Sequence, residues 1–295
     1  MMLRSIELAL PDPAAAARFM VDIWGMANAA QRGPGLYLRG SGPLPYLVGL
    51  SPSPDEFVRS VTFTCTAPEL SALTRNIVAA CWPAAPVESS DPGGGHGIVV
   101  ELPEGEIFRF LTDSATAPSL VGSDLPAKLA HVVFNSNDAE QTGHAAEDVL
   151  GFRVSDRTRG MVFVRCNQSH HATAFARAGY SSLNHIAFEM EDIDAVMRGI
   201  GRLRDHAMVP AWGPGRHGPG ANVYAYYVAP FGPVIEFSTA VELLAEGHQV
   251  GTPEDWTWPA NRIDRWGISD KDIDALAAAE KRFKFRREWN PAPLL

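Results

Sequence analysis

Cysteine is scarce: Cys65, Cys81 and Cys166 are the only three in 295 residues, too few and too scattered for a disulfide framework or a thiolate zinc site. No apolar run approaches the roughly 18 residues that a bilayer-spanning helix needs. The opening segment MMLRSIELALPDP meets Asp12 and two prolines before a signal-peptide core can form. Clustered positive charge is also nearly missing. The net charge is −9, and the single basic run, KRFKFRR near the C-terminus, follows DKDIDALAAAE and is expected to continue an amphipathic helix from Asp270 to Phe285. These absences exclude a stapled secreted scaffold, a membrane span and a nucleic-acid binder. The expectation is a cytoplasmic globular protein. With 46% hydrophobic and 20% charged residues, the chain has material for two domains of ordinary size.

What is present is an internal repeat. RSIELALPDPAAAARFMVDIWGM near the start and AHVVFNSNDAEQTGHAAEDVLGF from Ala130 share one plan of strand, turn, helix and then glycine. SVTFTCTAPELSALTRNI matches HIAFEMEDIDAVMRGI, where alternation gives a strand and the following polar turn caps a helix. LPEGEIFRF matches APFGPVIEF, a glycine turn entering a final strand. The three matches, marked by Ser5 and His131, Phe63 and Phe188, and Gly105 and Gly232, lie 126, 125 and 127 positions apart. Offsets so nearly constant indicate a tandem duplication, each half holding two strand-helix-strands units. The fold class is therefore α+β, with duplicated βαβββ modules curling into two half-barrel sheets whose concave faces can hold a ligand. The expected divisions are residues 1–118, a Ser/Ala/Pro-rich linker, residues 126–245, and an extension over 246–295.

Superposing the halves sets His131, His185 and Glu236 opposite Ser5, Ser60 and Arg109. A guanidinium has no lone pair to donate and two hydroxyls are weak ligands, so the first set cannot hold a divalent cation. Two neutral imidazoles and a carboxylate are the donor composition of the facial triad associated with non-haem Fe(II), which leaves coordination positions open. Each residue alone has a plainer reading, such as a core histidine bonded to a carbonyl. Glu236 resists it: VIEF puts a carboxylate between apolar neighbours on a strand that should be buried, where an unpaired charge is costly. A metal shared with both histidines satisfies all three.

LNHIAFEMEDIDAVMRGIGRL, followed by WGPGRHGPGANVYAYYVAPFGPVIEFSTAVE, resembles the type I extradiol dioxygenases of the vicinal oxygen chelate superfamily. The resemblance spans nearly the whole chain and is specific from His131 to Glu242. It implies His131, His185 and Glu236 as ligands, as the repeat does. It further implies His171 of CNQSHHATAF as an acid/base histidine with His170 as a supporting neighbour. By the same resemblance, His217 of GPGRHGPG bonds a substrate oxygen or dioxygen, and Tyr226 of YAYY lies beside the metal. Alternation leaves Tyr224 a rival of Tyr226, since both share a face. The glycines and prolines around His217 suggest a loop shaped for close backbone approach.

The implied activity is ring cleavage of a small aromatic diol with O2 at Fe(II), with Mn(II) suited to the same ligands. The alternatives are an isomerase or lyase of the same architecture and a small-molecule binding protein without chemistry. The tail, with DWTWP and RWGIS, is expected to pack across a domain or a neighbouring subunit, and a homo-oligomer is expected.

Overall fold

The computed structural model describes residues 1–121, 124–259 and 262–294. Gly122 and Ser123 of the linker, and Ala260 and Asn261 of the tail, lie outside the described residues. Four βαβββ modules follow one another. The first is β1 (Met2–Leu10), α1 (Pro13–Phe19), a π-helical turn (Met20–Trp24), β2 (Ala27–Arg32), β3 (Gly35–Arg39) and β4 (Val48–Pro52). The second is β5 (Phe57–Thr64), α2 (Ala67–Ala79), β6 (Ala84–Glu88), β7 (His96–Glu101) and β8 (Ile107–Thr112). The third is β9 (Lys128–Ser136), α3 (Ala139–Asp148), β10 (Arg153–Arg157), β11 (Met161–Arg165) and β12 (Thr173–Arg177). The fourth is β13 (Ser182–Glu189), α4 (Ile193–Asp205), β14 (Trp212–Arg216), β15 (Val223–Val228) and β16 (Val234–Thr239).

Each helix starts where the sequence supplies an acceptor for its free N–H groups. Asp12, Asp138 and Asp192 cap α1, α3 and α4, and Thr66 with Glu69 forms a capping box on α2. The strands assemble into two eight-stranded sheets of identical order, β2-β3-β4-β1-β5-β8-β7-β6 and β10-β11-β12-β9-β13-β16-β15-β14. The registers agree as well. Ser5 pairs with Thr62 as His131 pairs with Ala187, and Thr62 pairs with Arg109 as Ala187 pairs with Glu236. The superposition drawn from sequence offsets is thus reproduced by backbone hydrogen bonding.

Because side chains alternate across a strand, the polar position at Glu236 faces one side and Ile235 and Phe237 the other. The apolar sides of both sheets meet in one core, where Phe63 packs against Phe152 and Phe108 against Phe134. Trp24, at the end of the first module, is fully buried and stacks on Phe237 at 3.7 Å between centroids, directly behind Glu236. Arg202 of α4 donates to the carbonyls of Ile23 and Trp24 and fixes this junction. The polar concave faces point away from the shared core.

The tail departs from the single helix expected over 270–285. It forms α5 (Ile273–Ala279), capped by Asp272, and then runs extended. The reason lies in Phe283 and Phe285, two residues apart, which suits a strand that presents both to one face. Phe283 is buried, and the extended segment bonds both halves, Val58 N–H to the Lys284 carbonyl and Leu183 N–H to the Phe283 carbonyl. The basic run is accordingly no helix face. Arg282, Arg286 and Arg287 pair with Glu56, Asp55 and Glu101 of the first half.

Candidate metal centre

His131 on β9, His185 on β13 and Glu236 on β16 occupy three neighbouring strands and point to the same concave face. All three are buried. His131 Nε2 lies 3.2 Å from His185 Nε2 and 3.1 Å from Glu236 Oε2, and His185 Nε2 lies 3.2 Å from the same oxygen. Donors held roughly 2.1 Å from a first-row divalent ion at right angles stand about 3 Å apart, so the spacing suits one shared ion. The protonation pattern suits it too. His185 Nδ1 is 2.6 Å from Asn184 Oδ1, an acceptor, which puts the hydrogen on Nδ1 and the lone pair of Nε2 toward the centre. Asn184 is in turn bonded to Asn135, and Asn135 to Ser182. Burial opposes ionisation of Glu236, but His131 and His185 outweigh it and hold the carboxyl well below its usual range. Asn222 donates to the other Glu236 oxygen at 3.2 Å.

The remaining candidates converge on this cluster. The His171 ring is 4.2 Å from that of His131, and burial followed by the surrounding imidazoles pushes its pKa well down. Tyr226 pairs directly with Glu236 across β15 and β16, as the short turn between them requires. Its hydroxyl is 2.9 Å from His217 Nε2. Burial pushes His217 down to about 3 and, with Glu236, holds the Tyr226 phenol well above its usual value. Tyr224 shares the face and stacks on His217 at 3.8 Å rather than facing the histidine pair. His171, His217 and Tyr226, with His131 and His185, line a cavity of about 500 Å³ whose walls include Val133, Phe163 and Trp212, with Trp258 and Lys271 contributed by the tail.

The glycine-rich loop does approach something closely. A Cβ on Gly218 would lie 2.5 Å from Trp258, and one on Gly220, whose φ is +73°, would lie 3.0 Å from His170 Nδ1. Sequence reasoning missed Asn222, although it shares the alternation of Tyr224 and Tyr226. It also missed Asn184 and Asp156, which no motif marks.

The model of the Glyoxalase/Bleomycin resistance protein/Dioxygenase superfamily matches residues 128–237, the stretch that carries all six candidate residues. Residues 128–237 form a domain of this superfamily. Metapyrocatechase 2 of Cupriavidus necator is 23% identical over 237 residues, which is 70% of this chain and 71% of that protein. A Mn(II)-bound glyoxalase from Novosphingobium aromaticivorans superposes with a TM-score of 0.85 at 28% identity, covering 93% of each chain. Homoprotocatechuate 2,3-dioxygenase from Brevibacterium fuscum, in complex with 3,4-dihydroxyphenylacetate, gives 0.85 at 19% identity over 99% of this chain and 96% of its own. The superfamily domain therefore sits within an architecture shared along almost the whole chain.

Proposed function

We propose that this protein is an extradiol dioxygenase, cleaving the ring of a small aromatic diol with O2, and that His131, His185 and Glu236 hold one Fe(II). The observation that carries this reading is the buried three-donor cluster opening on a cavity that also gathers His171, His217 and Tyr226. Relatives named as metapyrocatechase and as homoprotocatechuate 2,3-dioxygenase support the choice of reaction. Residues 1–118 are read as the module without ligands, 126–245 as the catalytic module and 246–295 as an extension that helps wall the cavity.

Bound Fe(II) supplies open coordination positions and a route for electron transfer between O2 and the substrate. The chain's own residues do the rest. His171, neutral at physiological pH because burial depresses its pKa, accepts a proton from a substrate hydroxyl and later returns it. Neutral His217 can donate from Nε2 to the Tyr226 oxygen, which frees the phenolic hydrogen for a substrate oxygen on which charge develops. Val133, Phe163 and Trp212 offer apolar surface to the ring.

The three free cysteines accord with a reducing cytoplasm. Among the described residues no helix is long and apolar enough to cross a membrane. Exposed Ile263, Ile268 and Ile273 along the tail support a homo-oligomer.

Anaerobic metal analysis followed by oxygen uptake against a panel of catechols tests the proposal. The expected result is one iron per chain, one O2 consumed per catechol and a yellow ring-opened product. The relationship to a Mn(II)-bound glyoxalase favours a second reading, a manganese enzyme of isomerase or lyase type. Turnover without oxygen uptake would establish that reading and overturn the first.

A further inference from the structure

Behind His171 lies a chain of buried polar groups that reaches away from the metal centre. Asp156 on β10, His170 and His171 are all buried. Asp156 Oδ2 is 2.7 Å from His170 Nε2, and His170 Nδ1 is 2.9 Å from His171 Nδ1. The second carboxylate oxygen accepts from Gly251 N–H at 2.8 Å, so the C-terminal extension clamps Asp156 in place. Gly220 closes the other side, its absent Cβ position only 3.0 Å from His170 Nδ1 and 3.3 Å from His171 Cε1.

The direction of these hydrogen bonds follows from what each atom can do. An ionised carboxylate only accepts, so the hydrogen facing Asp156 belongs to His170 Nε2. A neutral imidazole carries one N–H, which leaves His170 Nδ1 bare and able only to accept. With His170 neutral, the hydrogen between the rings sits on His171 Nδ1. Nε2 of His171 is then bare, and it is the nitrogen left for the cavity that His171 lines.

We infer that Asp156 and His170 are positioning residues that fix His171 in the Nδ1-protonated tautomer and present an unprotonated Nε2 to the substrate. The arrangement has the logic of an acid that orients a catalytic histidine, transmitted here through a second imidazole. It rests on the role given to His171 above, yet the tautomer itself is observable without turnover.

The test is the ¹⁵N spectrum of the imidazoles in protein loaded with diamagnetic Zn(II), which reports the protonated nitrogen of each ring. In the unaltered chain His171 should show hydrogen on Nδ1 and a bare Nε2. Asp156→Asn, whose amide can donate to His170, should reverse both rings and lower turnover by roughly 10²-fold or more with metal content unchanged. Asp156→Glu should restore the original tautomer and most of the rate. If Asp156→Asn fails to fold, His170→Phe keeps a ring but removes the acceptor, and His171 should then populate both tautomers. An Nε2-protonated His171 in the unaltered chain, or a tautomer unmoved in the folded variants, would overturn the inference. The inferred tautomer in a protein that cleaves no catechol would instead sink the proposed function and leave the inference standing.

Discussion

The two halves have the same strand order and the same register, yet they balance charge on their concave faces by opposite means. In the second half, a carboxylate on β16 faces two imidazoles on β9 and β13, and neither a lysine nor an arginine belongs to that cluster. In the first half the cation belongs to the chain. Arg109 occupies the position of Glu236, and the carboxylate has moved to Glu7, 2.9 Å from the guanidinium. Ser5 and Ser60, at the histidine positions, donate to Glu7 at 2.6 and 2.7 Å. Tyr46, equivalent in register to His171, donates to Glu7 at 2.7 Å, and Asp91 takes a second Arg109 nitrogen at 2.7 Å. Burial disfavours charge on Arg109, but Glu7 and its neighbours outweigh it and raise its pKa. A concave sheet of this kind leaves a polar centre that must be neutralised. One half does so with its own Arg109, and under the proposed function the other would be completed by an ion.

If that contrast is right, Glu236→Ala should have the largest consequence: loss of the single metal per chain, read by metal analysis, with the far-ultraviolet dichroism unchanged. Metal retained in this variant would place the ion elsewhere, the first half included. Next in size, His171→Gln should keep the metal and bind catechol while single-turnover ring cleavage slows by about 10²- to 10⁴-fold. An unchanged rate with a lowered melting temperature would reduce His171 to a packing residue.

Arg109→Met should act on stability alone. It strands Glu7 and Asp91 in a poorly solvated face and should cost about 3–5 kcal/mol in urea unfolding, with metal content preserved. Equal loss of metal would mean that the halves are not electrostatically separate.

The smallest effect concerns a turn that the halves share in form but not in residue. Gly105 and Gly232 both have positive φ, and the residues that follow are Glu106 and Pro233. Glu106 is fully buried, and burial pushes it up to about 7. Since its folded value exceeds the ordinary 4.5, the folded state binds the extra proton between these values. Stability is therefore full below about 4.5 and falls as pH rises through 7. Glu106→Gln should remove this dependence, a gain of at most about 3 kcal/mol at pH 8 relative to pH 5, seen in melts at the two values. Parallel pH profiles for both proteins would show that Glu106 is not the group responsible.

Much of this was legible in one chain because duplication made the sequence its own control. Constant offsets gave the modules, and the exchange of His, His and Glu for Ser, Ser and Arg gave the candidate ligands, since ligand chemistry depends on residue type and the strand register on spacing. Alternation likewise placed Tyr226 opposite Glu236 across a short turn. The tail was misread because acidic and alanine-rich spacing signals a helix locally, whereas Phe283 and Phe285 found more burial as an extended strap across both halves. Glu7 and Tyr46 carry no signal in sequence that they would replace a metal's partners. Asp156, 14 positions from His170, carries none that it would fix a histidine's tautomer. Such relations join atoms on different strands at hydrogen-bond distance, and the polarity of a hydrogen bond is set by which groups meet. Residue type and periodicity decided the fold and the donor set; only the packed tertiary structure decided which buried polar atoms are satisfied from within and which are left for a ligand.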